Sequence, residues 1–571
     1  MMGAAMGSSA IRMVLATATA FAVGVGGAPH ASAQDGRTET TYASTAPLAG
    51  EVIGSVVTIP APLPEYVGPR PERCDRLSYL RWRSVDGPAD SAHADRIFVA
   101  QPGIFEGAGA FGSVARNTVV AAARRGAHVE FWALDRRSNC LEDHTGVQAA
   151  LATGSFDTAT DYYFHGAESD GSRFAGYASG ADVAWLAHVG LEQTLRDQYD
   201  LLRHELPDPQ VRNDKVLCGG HSLGGFITGF FAEWDFDGNP QTLDDAGFSQ
   251  CSGYFALDTV IAAKSPAPVG GSFPQIPDIV KAPLDAATGA VTGAMPVLAL
   301  PAVINPETTN LLALAGLAVR LDPEGVNDLV ERLPDNPNVD WTLRALLAKD
   351  AAMFATGEPE VRSLNATNEA VLGAILDDNS QPFGFLQASV GFITGAPVQD
   401  KLFPVPSTTE VLSTGMFGDA PKASPAVYGA DVLYRWLDYD EVATADSLPN
   451  EARYTNPASE VTSIAELARN LSEPPLDFTE WYFPTRLPSD LALSSAPSFA
   501  THHIHRDGVA RHPILTLQGS GGIALPESGH PDDVPVVVPG YNHIDVLTAA
   551  GVRNDGRPEP VSEALADFAT R

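Results

Sequence analysis

The segment VLCGGHSLGGFITGFF, residues 216–231, decides the class of the fold. It starts as a short apolar stretch, passes through glycines around Ser222, and continues as a second apolar stretch. An apolar strand that leads at once into a helix, with glycines at the junction, is typical of one strand–helix step in a parallel sheet. The segment therefore predicts a strand, a sharp turn at Ser222 and a helix.

The neighbouring segments continue this alternation. Helices are predicted at 113–126, where Gly126 ends the helix, and at 182–206, which ends before Pro207. Strands alternating with such helices pair in parallel through right-handed crossovers, so the predicted fold class is α/β. The strands are predicted at 51–62, 77–85, 96–100, 128–135, 215–220 and 253–260, and again at 512–519 and 534–540 before a last helix at 561–570.

The pattern changes between residues 261 and 510. Here the helical pieces are broken by prolines, as in 340–355, 368–378 and 459–471. A stretch of this length is too long for a loop in a compact domain, so a large, mostly helical cap is predicted between two parts of an α/β core. The predicted division is 1–33 signal peptide, 34–260 first part of the core, 261–510 cap and 511–571 second part of the core.

The first residues have the pattern of a secretory signal. Arg12 precedes an apolar run at 13–25, and Ala31-Ser32-Ala33 is a small-residue cleavage site, so we expect cutting after Ala33 and a secreted or extracytoplasmic protein. An uncut membrane anchor is the alternative, although the run is short for a bilayer span. The weakly charged segment 286–319 is interrupted by three prolines, so no later membrane span is predicted.

The charge balance limits the partners. With 36 basic and 70 acidic residues, the formal net charge is −34. Phosphate backbones and anionic lipid surfaces repel such a chain, so nucleic acid is not an expected partner, and no protein partner can be inferred. A solvated acidic surface is the expected role of the excess charge.

Four cysteines, Cys74, Cys140, Cys218 and Cys251, lie in the first half of the chain. Export permits disulfides, and four cysteines allow three full pairings, between which the sequence does not decide. Since Cys140 follows a predicted strand and Cys218 lies inside one, Cys74 with Cys140 and Cys218 with Cys251 is the pairing that we guess. No C-x-x-C occurs, so no zinc cluster or redox motif is predicted, and no cofactor is expected.

Ser222 lies in the motif G-H-S-L-G, and its strand–turn–helix context indicates a nucleophile. Such a turn forces the serine into a cramped backbone conformation, which small residues at Gly220 and Gly224 permit. The hydroxyl group would lie above the strand ends, at the N-terminus of a helix whose dipole favours developing negative charge. A plain glycine-rich turn is the alternative interpretation.

A serine nucleophile needs a histidine as base and an acid that orients the histidine. His543 lies in VPVVVPGYNHIDVL, residues 534–547, after a late strand and before the closing helix, and is the predicted base. A surface histidine is the alternative. His221 is expected to point away from the site and to be structural. Five further histidines precede or flank strands instead of ending this loop: His502, His503, His505, His512 and His530.

The acid has two candidate positions. The usual one follows the strand before the histidine, but ILTLQGSGG, residues 514–522, is not directly followed by a carboxylate. The other is Asp258, which ends an apolar strand at the edge where parallel sheets hold their ligands. Asp258 is the predicted acid. The alternatives later in the chain are Glu527, Asp532 and Asp533, whereas Asp545 is expected to help start the final helix.

An oxyanion that forms on attack needs preorganised N–H donors. The backbone N–H of Leu223, directly after the nucleophile, is predicted as one donor. The second donor is expected in the loop QPGIFEG, residues 101–107, at Ile104, with Phe105 as the alternative.

Four stretches together resemble the α/β-hydrolase superfamily, particularly its esterases and lipases. They are QPGIF at 101–105, the G-H-S-L-G motif, the LD ending at Asp258, and PGYNHIDVL at 539–547. The aspartate after the strand that follows the nucleophile is similar to that of pancreatic-type lipases, and YNHIDVL is similar to the histidine motif of acid lipases. The resemblance covers roughly residues 75–260 and 511–571. It implies an α/β-hydrolase fold, acyl transfer to serine, and hydrolysis of the acyl-enzyme by water.

The substrate is less defined by the sequence. Residues 286–319 are apolar enough to line an acyl pocket or to form a lid, and ordinary core helices of the cap are the alternative. A small-molecule or lipid ester is the expected substrate. A peptidase, thioesterase or acyltransferase on the same triad is the alternative, as is a non-catalytic binding protein.

Two charged loops remain. DFDGNPQTLDD, residues 235–245, carries oxygen ligands at alternate positions but does not match the calcium loop of an EF-hand, so a solvated turn is predicted. DRRSNCLED, residues 135–143, follows a predicted strand and could border the site or only the surface.

Overall fold

The computed structural model describes most of the chain: residues 36–264, 288–299, 304–403, 421–445, 448, 451–494, 499–523, 528, 530 and 533–571. The predicted signal peptide, Glu527 and Asp532 lie outside these residues. The predictions made for them therefore stay predictions.

A nine-stranded sheet forms the centre of the structure. Its order is β1-β2-β3-β5-β4-β6-β7-β8-β9. The pairs from β1 to β3 and the pair β3–β5 are antiparallel, and every further pair is parallel. The predicted α/β class is confirmed. The strands are β1 Thr38–Thr41, β2 Val52–Pro60, β3 Arg76–Ser84, β4 Arg96–Gln101, β5 Val129–Asp135, β6 Val216–His221, β7 Gly253–Leu257, β8 Ile514–Gly519 and β9 Val536–Val538.

Both faces of the sheet are covered. Successive side chains of a strand point to opposite faces, so in β4 Phe98 and Ala100 join one buried cluster while Ile97 and Val99 join another. Helices α1 (Gly112–Arg124) and α15 (Pro560–Thr570) pack in the first cluster, and α4 (Leu191–Glu205) and α6 (Leu223–Glu233) in the second. Up to β7 the helices are α1 Gly112–Arg124, α2 Thr145–Thr153, α3 Phe156–His165, α4 Leu191–Glu205, α5 Pro209–Lys215 and α6 Leu223–Glu233.

One predicted helix is shorter than expected. An α-helix was predicted for all of 182–206. The first part of this segment instead contains two short 3₁₀ helices, Gly180–Asp182 and Ala184–His188, and only α4 is an α-helix. The break lies at Gly190, whose backbone is extended and against which Arg486 and Asp490 pack so closely that a Cβ atom there would overlap them. Tertiary packing thus overrides the helical pattern of the sequence.

The chain leaves the sheet after β7 and returns at its neighbour β8. The described part of this insert is less helical than predicted, because it also contains two small antiparallel sheets, which pair Gly391–Thr394 with Arg435–Asp438 and Val398–Asp400 with Ala423–Pro425. Its helices are α7 Pro306–Leu321, α8 Leu329–Arg332, α9 Pro337–Leu347, α10 Ala351–Thr356, α11 Asn368–Leu376, α12 Ile464–Ser472 and α13 Arg486–Ala492; α14 Asp545–Thr548 and α15 Pro560–Thr570 follow β9.

The insert and the sheet share one hydrophobic core. The same buried cluster contains Phe98 and Phe255 from the sheet and Leu314 and Leu467 from the insert. Within the described residues, no helix is long and apolar enough to cross a membrane.

The four cysteines form two disulfides. Cys74 is bonded to Cys140, and Cys218 to Cys251, so the guessed pairing is confirmed. The second bridge joins β6 to the residues just before β7, the two strands that end at Ser222 and Asp258.

Candidate active site

Ser222 occupies a tight turn between β6 and α6. Its φ of 52° and ψ of −119° lie in a region that non-glycine residues rarely adopt. The turn is held by the Ser222 N–H, 3.3 Å from the carbonyl of Leu257, and by the Thr259 hydroxyl, 2.5 Å from the Ser222 carbonyl. Gly220 and Gly224 lie against the carbonyl of Gln101, where a Cβ atom would overlap. The steric role predicted for these two glycines is therefore present.

The structure brings His543 and Asp258 together. His543 Nδ1 lies 2.5 Å from Asp258 Oδ2, and both side chains are buried. The Asp258 carboxylate also accepts the N–H groups of Gly519 and Ile523, each at 3.0 Å. The loop after β8, which lacks a carboxylate in the usual place, thus supplies donors to the carboxylate from β7. No hydrogen bond among the described residues joins Asp533 to His543.

The surroundings of His543 favour its neutral form. Burial lowers its pKa, and the nearby His221 lowers it further, whereas the hydrogen bond to Asp258 raises it; the net shift is downward. With Nδ1 donating to Asp258, Nε2 carries the lone pair. Among the described residues, no hydrogen bond joins Nε2 to the Ser222 hydroxyl, although both side chains line the same cavity.

His221 and Glu106 form a second pair beside the first. The His221 ring centre lies 4.3 Å from that of His543. His221 Nδ1 is 2.7 Å from Glu106 Oε2, and His221 Nε2 is 2.9 Å from the backbone carbonyl of His543. His221 was predicted to point away from the site, and this is wrong. No sequence pattern pointed to Glu106, since a single glutamate in a glycine-rich loop looks like a surface residue.

The loop after β4 is held from behind by Arg136. This buried guanidinium donates to the carbonyls of Pro102, at 2.8 Å, of Gly103, and of Glu106, at 3.0 Å. A trans peptide points its N–H opposite to the preceding carbonyl, so the Ile104 N–H faces away from Arg136. Arg136 comes from the charged loop 135–143, which therefore borders the site and is not only surface.

A segment of the insert runs alongside the same loop. The N–H groups of Gly107 and Gly109 donate to the carbonyls of Phe478 and Asp477, each at 2.8 Å. The Glu480 N–H in turn donates to the carbonyl of Phe105 at 2.9 Å. Glu480 also pairs with Arg136 at 2.6 Å, and both side chains are buried. We call residues 477–480 the return segment.

An apolar cavity opens onto these groups. It has a volume of about 1330 Å³ with its mouth included, and Ile104, Ser222 and His543 lie in its wall. Most of the remaining wall comes from the insert. This part of the wall includes Leu311, Leu312, Leu329, Leu343, Leu346 and Leu376.

The other predicted residues have different places. Asp545 does not start the final helix, which begins at Pro560 and is capped by Glu559. It is buried and accepts the N–H groups of Asn542 and Ser389, so it fixes the His543 loop to the insert; burial raises its pKa to about 7.

The loop 235–245 was predicted to be a solvated turn, and this is wrong for Asp235. Asp235 is buried, and its carboxylate accepts the N–H groups of Gly238 and Asn239 and contacts His505 Nε2 at 2.7 Å. His503 likewise pairs with Glu233. These two histidines bind carboxylates at the end of α6 and do not line the cavity.

Within the part of the chain that the structure describes, three groups of side chains place potential metal ligands within 4.8 Å of one another. Each contains at least two carboxylates, and none includes Ser222, His543 or Asp258. They are Glu142, His144 and Asp477; Asp235, Asp237 and Asp245; and Asp377, Asp378 and Glu460.

No family model matches the chain, and no curated protein matches it significantly. Solved structures that are similar include a peroxisomal alpha-beta-hydrolase from Saccharomyces cerevisiae, with 11% identity, coverage of 91% of this chain and 90% of that one, and a TM-score of 0.33. An epoxide hydrolase from Vigna radiata has 10% identity, 86% and 94% coverage and a TM-score of 0.30.

A monoglyceride lipase variant from Saccharomyces cerevisiae has 10% identity, 86% and 90% coverage and a TM-score of 0.27. Similarity at this level identifies neither a substrate nor a reaction. The sheet order, the serine turn after β6 and the insert between β7 and β8 give this chain the α/β-hydrolase fold.

Proposed function

We propose that the protein is a serine hydrolase that cleaves carboxylic esters with apolar acyl groups. Ser222 is the nucleophile, His543 the base and Asp258 the acid that orients it. The observation that supports this most is that Ser222, on its strained turn, and His543, bonded to Asp258, line one apolar cavity.

In the proposed reaction His543 Nε2 accepts the hydroxyl proton of Ser222 as Oγ attacks the ester carbonyl. Asp258 keeps the proton of His543 on Nδ1 and stabilises the imidazolium that forms. His543 then gives the proton to the leaving alcohol, and water repeats the sequence on the acyl-enzyme. Catalytic hydrogen bonds are often loose before substrate binds, which is consistent with the absence of a bond between Ser222 and His543.

The proposed oxyanion donors are the N–H groups of Leu223 and Ile104. Leu223 is the first residue of α6, whose N–H has no partner within the helix. The Ile104 N–H faces away from Arg136 and lies in the loop that borders Ser222. Removing one such donor typically lowers kcat by about 10² to 10³.

The apolar wall of the cavity supports the proposal that the enzyme selects its substrates by an apolar acyl group. Its leucine-rich wall offers few hydrogen-bonding groups to a peptide, and burying unpaired peptide groups there is unfavourable. A thioester with the same acyl group fits the same wall. The experiment therefore includes both leaving groups.

We also propose export, with cleavage after Ala33. The signal pattern of residues 1–33 and the two disulfides support it, because disulfides persist in oxidising compartments.

The test is labelling of the purified mature protein by a fluorophosphonate, with hydrolysis of p-nitrophenyl esters and acyl thioesters of increasing chain length. Ser222→Ala and His543→Ala are expected to lower turnover by about 10⁴-fold or more. His512→Ala, which removes a histidine bonded to the carbonyl of Phe248, is the matched control. A folded wild-type protein that neither labels nor hydrolyses any of these substrates contradicts the proposal.

A further inference from the structure

Each ring nitrogen of His221 has a hydrogen-bond partner: Nδ1 contacts Glu106 Oε2 and Nε2 contacts the carbonyl of His543. The carbonyl oxygen of His543 can only accept, so His221 Nε2 carries a proton. Glu106 Oε2 also accepts the Gly103 N–H at 2.7 Å, an arrangement that suits a carboxylate. With Glu106 as a carboxylate, the proton between Glu106 and His221 Nδ1 belongs to the histidine. A histidine that donates from both nitrogens is an imidazolium, and its neighbour Glu106 is then its counter-ion.

The pair is buried and joins three parts of the site. His221 is 1% exposed and Glu106 is 7% exposed. Through Glu106 the pair holds the loop that carries Ile104, through the main chain of His221 it adjoins Ser222, and through Nε2 it holds the backbone of His543. A Cβ atom on Gly103 would overlap Glu106 and lie 3.0 Å from the Ser222 Cβ atom, which shows how closely the three parts are packed.

We infer that His221 and Glu106 are a buried ion pair that positions the base and the oxyanion loop relative to each other, and that the charge on His221 extends activity to lower pH. The inference rests on the proposed function of Ser222 and His543. His221 and Glu106 also line the cavity, but in this proposal they act through His543 and the loop that carries Ile104, so both are positioning residues.

The charge argument follows from the groups around the two rings. Among the described residues, the charged side chains that act on both rings are Glu106 and Asp258. Asp545, two residues after His543, is bonded to Ser389, Asn542 and Thr462 instead.

Burial lowers the pKa of His221, but the charge of Glu106 and its hydrogen bond more than offset this, and the net shift is upward. A cationic ring 4.3 Å away disfavours a second positive charge, so His543 keeps its lone pair to a lower pH.

The test compares pH–rate profiles of kcat/KM for wild type, His221→Gln, Glu106→Gln and the double variant. His221→Gln keeps a donor but removes the charge, so kcat should fall by up to about 100-fold and the acidic limb should move to higher pH. Glu106→Gln removes the counter-ion, and His221 then loses its proton, so both charges vanish together. Its acidic limb should move less than that of His221→Gln. The double variant also carries neither charge, so its acidic limb should match that of Glu106→Gln and not show the sum of the two single shifts.

A second measurement does not depend on catalysis. Nitrogen-15 NMR of histidine-labelled protein, with His221→Gln and His543→Gln used for assignment, reports the protonation of each ring. We expect His221 doubly protonated at pH 7 and His543 neutral with its proton on Nδ1. His512→Gln, at a half-buried histidine bonded to the carbonyl of Phe248, should leave both the signals and the acidic limb unchanged.

The outcomes separate the two proposals. If no ester or thioester is hydrolysed, the proposed function fails while the NMR titration still decides the ion pair. A neutral His221 at pH 7 overturns the inference. So does a His221→Gln variant that folds and has the wild-type acidic limb.

Discussion

His221 and His543 are two neighbouring histidines with opposite assignments. Both are buried, and each has its Nδ1 within hydrogen-bond distance of a carboxylate, Glu106 for one and Asp258 for the other. Yet the pKa of His221 is raised and that of His543 is lowered. Burial lowers both pKa values, but in His221 the charge of Glu106 and its hydrogen bond outweigh burial, whereas in His543 the charge of His221 adds to burial and outweighs the hydrogen bond to Asp258. The rings also differ at Nε2, which in His221 is bonded to the carbonyl of His543.

A carboxylate partner alone therefore does not set the charge of a buried histidine. The second ring nitrogen contributes as well, because a fixed carbonyl acceptor requires a proton there. In the ion pair that we infer, His221 is the cation and His543 is left as an acceptor.

The substitution expected to have the largest effect is Asp258→Asn, which changes the tautomer of His543. Asparagine can donate to His543 Nδ1 and so move the histidine proton to Nε2, the nitrogen that should act as base. We expect kcat to fall by about 10⁴-fold with little change in the fold. Steady-state kinetics and circular dichroism measure both.

Asp533→Asn serves as the control for this change, since Asp533 was the other described candidate for the acid. It should leave kcat within a few-fold of wild type. A large loss in Asp533→Asn together with an active Asp258→Asn would reverse the assignment of the acid.

The proposed role of the cavity beside His543 in binding the acyl group can be tested by filling it with a larger side chain. Leu312, on α7, contributes to the cavity wall and is half-buried. Leu312→Trp should lower kcat/KM for a long-chain ester by about 10- to 200-fold and leave an acetyl ester nearly unaffected, since each methylene contributes about 1–3 kcal/mol of discrimination.

Leu321→Trp is the matched substitution at the other end of the same helix, at a half-buried leucine outside the cavity wall. Equal losses for both ester lengths in Leu312→Trp, or a chain-length effect in Leu321→Trp, would place the acyl group elsewhere.

The smallest effect concerns stability. The pKa of His221 is raised on folding, so its ion pair stabilises the protein below the unfolded pKa of about 6.5, and this stabilisation is lost as the pH rises through the folded value. His543 has a lowered pKa, so it contributes above about 6.5, and its contribution is lost as the pH falls through the folded value.

Thermal unfolding between pH 5 and 9 measures these opposite dependences. His221→Gln should lower Tm most at low pH, by about 1–4 °C relative to its effect at high pH. The Tm of His543→Gln, measured relative to the Tm of wild type, should rise as the pH falls. Parallel Tm curves for the two variants would contradict the opposite assignments.

Much of the core was predictable because it depends on local patterns. Eight strands of the central sheet, the turn at Ser222 and the position of His543 follow from apolar runs and glycines. Asp258 was predictable from its place at a strand end. Glu106 and Arg136 were not, because their roles arise from contacts between the loop after β4, the loop after β5 and the return segment, which are far apart in the chain. The strands of the insert were also missed, since its prolines concealed their short alternation.

The attachment of the return segment limits how this protein can be recombined with others. Residues 477–480 belong to the insert by sequence, yet they hydrogen-bond to the loop that carries Ile104 and pair with Arg136. A chimera that exchanged the whole insert for that of another enzyme would also remove the support of this loop. A graft between residues 304 and 463, which leaves α12 and the return segment in place, would exchange much of the cavity wall and keep the neighbours of Ser222 intact.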